Sequence, residues 1–129
     1  MPIDVLWENE GAHLIASEPL TLAEIRQSFI GGFYDDERSL TVKFQIMDFS
    51  KLESDSEFPM QEEDVVYFIA TDTGRAQSIG KMKTAFVGEC RAAIAMAEFY
   101  MGTVSKTIPN WEFSHFNTLE EAKSWLGLA

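Results

Sequence analysis

The chain has 129 residues, 46% of them hydrophobic and 24% charged, which is enough apolar material to bury a core in one domain spanning residues 1–129 without disulfides or metals. Ten basic residues against 21 acidic ones give a net charge of −11, which opposes nucleic acid and anionic membrane surfaces, since both bind through Lys and Arg. The longest apolar run, Val65–Ala70, is too short to span a bilayer, Cys90 is the single cysteine, and no basic N-terminal leader precedes an apolar stretch, so a cytoplasmic location without membrane insertion is expected.

In chain order, Ile3, Val5 and Trp7 alternate with polar residues as a half-buried strand, and Asn9, Glu10 and Gly11 turn the chain into a second strand, Ala12–Ser17. Thr21 and Glu24 form a capping box, after which Leu22, Ile25, Phe29 and Phe33 recur at helical spacing, predicting a helix to about Tyr34. Leu40–Phe49 alternates Leu40, Val42, Phe44 and Ile46 against Thr41, Lys43 and Gln45, predicting a strand with one packed face and one partly wet face. Lys51–Pro59 reads as a polar loop. Glu62, Glu63 and Asp64 suit the start of a second helix carrying Val65, Phe68 and Ile69, with Gly74 as its stop.

Met82–Val87 is a further strand, left through Gly88, Glu89 and Cys90, and Arg91–Met101 is a helix ended by Gly102. Trp111, Phe113 and His115 alternate as a fifth strand. Thr118 and Glu121 form a second capping box for a last helix that buries Leu119, Ala122, Trp125 and Leu126. A hairpin followed by alternating helices and strands implies an α/β fold: a mixed five-stranded sheet with about four helices, mostly on one face.

Few groups suggest chemistry. Cys90 lies near a helix start, yet the only available bases, His13 and His115, fall inside strands, and no His or Cys spacing matches a zinc site. Neighbouring carboxylates such as Glu62 and Glu63 diverge on a helix, and the glycines form no phosphate cradle. Met82, Met96 and Met101 read as core filling. With no activated nucleophile or acid–base pair, a non-catalytic protein without cofactor or metal is expected. Asp48 and Ser50 sit at a strand exit, where such residues usually form turns but where open α/β sheets also bind ligands.

Two stretches resemble the STAS fold of anti-anti-sigma factors, and most closely the small SpoIIAA-like (STAS/SEC14-like) bacterial domains. They are Gln45-Ile46-Met47-Asp48-Phe49-Ser50 and the tail from Thr84, which closes in Phe116-Asn117-Thr118-Leu119-Glu120-Glu121-Ala122-Lys123-Ser124-Trp125-Leu126. The resemblance implies a regulatory module that captures another protein, with a small apolar or amphipathic ligand as the alternative. Anti-anti-sigma factors carry Asp-Ser-Ser-Gly at the helix after the central strand. Here Asp55 and Ser56 match the Asp and one Ser, but Glu57 stands for the second Ser and the Gly is absent. A phosphate would also meet Glu53, Asp55 and Glu57, where like charge disfavours it, so these departures weigh against a phosphorylation switch here. The implied working surface is the Asp48–Ser56 loop beside the Gly88–Arg91 loop, with Asp48, Ser50, Asp55, Ser56, Glu89 and Arg91 as candidate partner-binding residues. Apolar surface around Trp7 adds the expectation of a homodimer.

Overall fold

The alternation read from the sequence builds a single five-stranded sheet in a computed structural model that describes residues 3–18, 21–30, 32–53 and 62–128. β1 (Ile3–Glu8) pairs antiparallel with β2 (Gly11–Ala16), and β3 (Phe44–Asp48), β4 (Met82–Val87) and β5 (Trp111–Phe116) follow in parallel. Strand order across the sheet equals chain order. Right-handed crossovers that always step in one direction must leave their helices on one face. Accordingly α1 (Leu22–Ile30), α2 (Glu62–Ile79) and α3 (Arg91–Phe99) share the face that bears Ala12, Leu14, Met82 and Phe86. A π turn, Tyr100–Val104, extends α3 into Ser105–Thr107. The last helix, α4 (Leu119–Leu126), crosses to the opposite face and packs Ala122 over Phe44, Ile46, Ala85 and Val87.

Several boundaries differ from the sequence expectation, each for a local reason. α1 ends at Ile30, and Phe33 begins a 3-10 turn instead. β3 begins only at Phe44, because Asp36 caps a second 3-10 turn, Glu37–Leu40, by accepting the Arg38 backbone N–H. α2 runs through Gly74 to Ile79, since its core-facing side still has contacts to make beyond the glycine. It stops at Gly80, whose φ of +77° is a conformation that favours glycine, with the Gly80 N–H closing on Ala76 O at 3.0 Å. α3 likewise passes Gly102, and Met101 is 47% exposed and fills no core.

The largest correction concerns β3. Its alternate residues do face opposite sides of the sheet, yet Gln45, placed by the sequence on a wet face, is buried under α1–α3. Phe44 and Ile46 point instead to the smaller face under α4. Apolar surface was expected around Trp7, and the neighbouring Leu6 is 52% exposed, while Trp7 itself is half-buried. Its ring stacks on Phe33 at 5.4 Å and lies under the Arg38 guanidinium at 4.3 Å.

Candidate functional site

The carboxyl ends of β3 and β4 meet in one hydrogen-bonded platform. The Phe49 N–H donates to Val87 O at 2.8 Å, and the Gly88 N–H to Phe116 O at 3.0 Å. The Cys90 thiol reaches Phe49 O at 3.7 Å, and a His115 ring nitrogen lies 2.7 Å from Gly88 O. Gly88 makes the approach possible: its φ is +137°, and a Cβ there would stand 3.1 Å from the Phe49 carbonyl carbon. Cys90 is buried in the main core cluster, directly before α3.

Asp48 anchors this platform. Its Oδ1 accepts the Ser50 backbone N–H at 2.9 Å and the Ser50 hydroxyl at 2.6 Å, the side-chain turn that Asp favours after a strand. Its Oδ2 lies 2.9 Å from Nε2 of His13, on the neighbouring strand β2. Both members of this pair are buried. Burial pushes the Asp48 carboxyl up, but hydrogen bonds from His13 and Ser50 outweigh it and leave its pKa below the usual carboxylate range. The Ser50 hydroxyl is spent on Asp48 and does not face His13, so the three groups converge on one carboxylate and form no serine–histidine relay. His13, read from sequence as an ordinary strand residue, is thus the buried partner of the strand-exit carboxylate.

Ser50, Glu89 and Arg91 are exposed on the platform, and Asp48 lies beneath it. Asp55 and Ser56 fall outside the described residues. Among the described residues, no group of three or more His, Cys, Asp or Glu side chains is placed to hold a metal ion, and no helix is long and apolar enough to cross a membrane.

A second polar centre has no counterpart in the sequence reading. On α2 the core-facing positions are Asp64, Phe68, Asp72, Arg75 and Ile79, at helical spacing. That phase is the signal that was available: two opposite charges three residues apart, on the same stripe as Phe68. Asp64 is held by the Arg26 guanidinium of α1, with Nε–Oδ1 at 2.7 Å and Nη2–Oδ2 at 3.1 Å. Asp72 and Arg75 are each 4% exposed and pair at 3.0 Å. Arg75 also donates through Nε and Nη2 to Ser39 O, at 3.2 and 2.9 Å, and through Nη2 to Gln45 Oε1. The hydroxyls of Tyr34 and Tyr100 both donate to Asp72 at 3.3 Å. Burial holds the Asp72 carboxyl above its usual range, although Arg75 and the two tyrosines pull it down. Burial, and then the Asp72 carboxylate, push both tyrosine hydroxyls well above theirs.

The pair borders a cavity of about 30 Å³ walled by aromatic side chains, among them Phe33, Phe68, Phe86 and Trp111. The Arg75 guanidinium lies 5.0 Å from the Phe33 ring and 5.5 Å from that of Trp111. Among the described residues, the Trp111 indole N–H, buried there, has no hydrogen-bond partner.

No family model, no curated protein and no solved structure matches this chain. The resemblance to SpoIIAA-like domains therefore rests on the residues of the chain itself.

Proposed function

We propose that the protein is a cytoplasmic, non-catalytic regulatory module of the STAS/SpoIIAA-like kind, which captures another protein at the carboxyl end of its sheet. One observation carries this most: the loops after β3 and β4 are bonded into a single platform, with Ser50, Glu89 and Arg91 outward and the Asp48–His13 pair locked beneath. Open α/β sheets use this end for recognition. The spent hydroxyl of Ser50 and the lowered pKa of Asp48 suit a rigid recognition surface better than a reacting centre. Asp55 and Ser56 belong to the same proposed surface by sequence.

The test is quantitative capture from the native host by wild type and by a Ser50→Ala/Glu89→Lys/Arg91→Ala variant, with melting temperature as the check on folding. Asp48 is left intact because it anchors the turn. Loss of a defined partner by about tenfold or more, the equivalent of roughly 1.4 kcal/mol, supports the proposal. Equal capture by the folded variant overturns it.

Binding of a small apolar or amphipathic ligand is the second proposal, favoured by the aromatic cavity and the unpartnered Trp111 N–H. At about 30 Å³ the cavity takes a polar headgroup or a water or two, and an apolar tail requires α2 to lift from the sheet. Native mass spectrometry of freshly purified protein tests it: a stoichiometric adduct favours ligand binding, and a bare chain mass counts against it.

A further inference from the structure

We propose that the outer face of α2 is a two-fold interface on which a second copy of this chain docks antiparallel, crossing at Ala70. From Glu63 onward the exposed positions of this helix are Glu63, Val66, Tyr67, Ala70, Gly74, Gln77 and Ser78. At 100° per residue they fall within about a third of the helix circumference and form one stripe. Val66 is 61% exposed and Tyr67 43% exposed, so its apolar groups stand in solvent. In a chain of net charge −11 this face carries one charge, Glu63 at its end. The other charges between Val65 and Ile79 are Asp72 and Arg75, which are buried and paired with each other.

Three features select a second copy over another occupant. Beyond Glu63 the stripe offers no carboxylate to a basic protein and no Lys or Arg to an anionic membrane surface. A two-fold axis at Ala70 pairs positions equally distant on either side of it, so each residue meets its complement twice. Val66 then lies over Gly74 of the other copy, with Tyr67 beside it, and Glu63 lies opposite Gln77, which keeps the two Glu63 carboxylates apart. Gly74 fits this role: among the described residues nothing lies within 4 Å of where its Cβ would be, so no contact among them accounts for a glycine in mid-helix. A bulky end facing an empty one, with alanine between them, is self-complementary only in the antiparallel sense.

The face is distinct from the sheet end, so this interface and the partner platform stand or fall separately. A single helix crossing lies at the small end of stable interfaces, so sedimentation should find a dimer of twice the 14.6 kDa chain mass at about 100 μM, dissociating on dilution. Ala70→Glu, at an exposed position suited to a strong helix former, is expected to weaken association at least about tenfold by placing two carboxylates at the axis. Ala70→Cys should cross-link two copies under mild oxidation. Ile94→Cys, also exposed but on α3, should not, and native Cys90 is buried. The proposal is overturned if the wild type sediments as a monomer at that concentration, if folded Ala70→Glu remains dimeric, or if both cysteine variants cross-link alike. Should Ala70→Glu fail to fold, the cross-linking pair decides alone.

Discussion

On the three-helix face the core closes over charge: Asp72, Arg75, Gln45 and two tyrosine hydroxyls sit among phenylalanines, each satisfied by another. On the α4 face it closes over Ala122, Phe44, Ile46, Ala85 and Val87, with the Phe116 ring tilted 45° against Trp125 at 5.4 Å, and the hydrogen-bonded His13–Asp48 pair lies at the rim between β2 and β3. The contrast follows from how each face is covered. Three helices laid side by side leave a seam above the middle of the sheet, and Arg75 fills it while tying α2 to the 3-10 turn at Ser39. One helix over three strands leaves no seam, and small apolar residues suffice.

Breaking the buried charge on the first face should produce the largest effect. Asp72→Ala strands the Arg75 guanidinium in an aromatic cavity, and removing one partner of a buried pair costs about 3–5 kcal/mol. Urea denaturation should show that loss. Replacing both partners, as Asp72→Leu with Arg75→Met, should leave a protein more stable than either single variant. That result would mark the pair as a device for alignment more than for stability. If the double variant loses the sum of the two single losses, the network is not a coupled unit.

The buried carboxylates of Asp48 and Asp72 should also respond to pH in opposite directions. A carboxyl whose folded pKa is lowered, as at Asp48, adds stability that is present above its ordinary range and lost as pH falls through the folded value. Asp48→Asn should therefore cost about 1–3 kcal/mol near neutrality and progressively less in acid. A raised carboxyl, as at Asp72, adds stability that is present below its ordinary range and lost as pH rises through the folded value. The gap between wild type and Asp72→Asn should therefore narrow as pH rises. Stability curves between acid and neutral pH check both. Parallel slopes for the two variants would erase the distinction between the faces.

Strands such as β1 and β5 were legible in the sequence because period-two alternation survives whichever face is covered, and β5 appears where that alternation placed it, while β4 matches the apolar segment read as a strand. What each face meets was not legible. Gln45 between Phe44 and Ile46 looks solvent-facing in any strand, and only α2, 30 residues downstream at Arg75, makes it a core residue. Gly74 and Gly102 look like helix stops because local propensity says so, but tertiary contacts carry both helices past them. Asp48 and Ser50 were readable as a turn pair because their hydrogen bonds are local. His13, 35 residues away, joins them only through the parallel pairing of β2 with β3. The signals that failed were those whose partner lies far along the chain.

The smallest expected effect compares the helix starts on the two faces. Thr21 caps α1 by accepting the Glu24 N–H at 3.3 Å. Thr118 caps α4 by accepting the Glu121 N–H at 3.2 Å, and it donates its hydroxyl to the Glu121 carboxylate at 3.0 Å. Thr118→Ala therefore removes two bonds where Thr21→Ala removes one, and each loss falls near the usual cap value of about 1 kcal/mol. The structural consequences should differ more than the energies. α1 shares its face with two other helices and is tied to α2 by the Arg26–Asp64 fork, so a frayed first turn leaves the core covered. α4 alone packs over Phe44, Ile46, Ala85 and Val87. Loosening its start admits water to a whole cluster. Hydrogen exchange should rise after Thr118→Ala across α4 and the neighbouring amides of β3 and β4, and after Thr21→Ala only within the first turn of α1. Exchange confined to the first turn in both variants would mean that α4 holds its face by side-chain packing alone, with its cap contributing nothing beyond the local bonds.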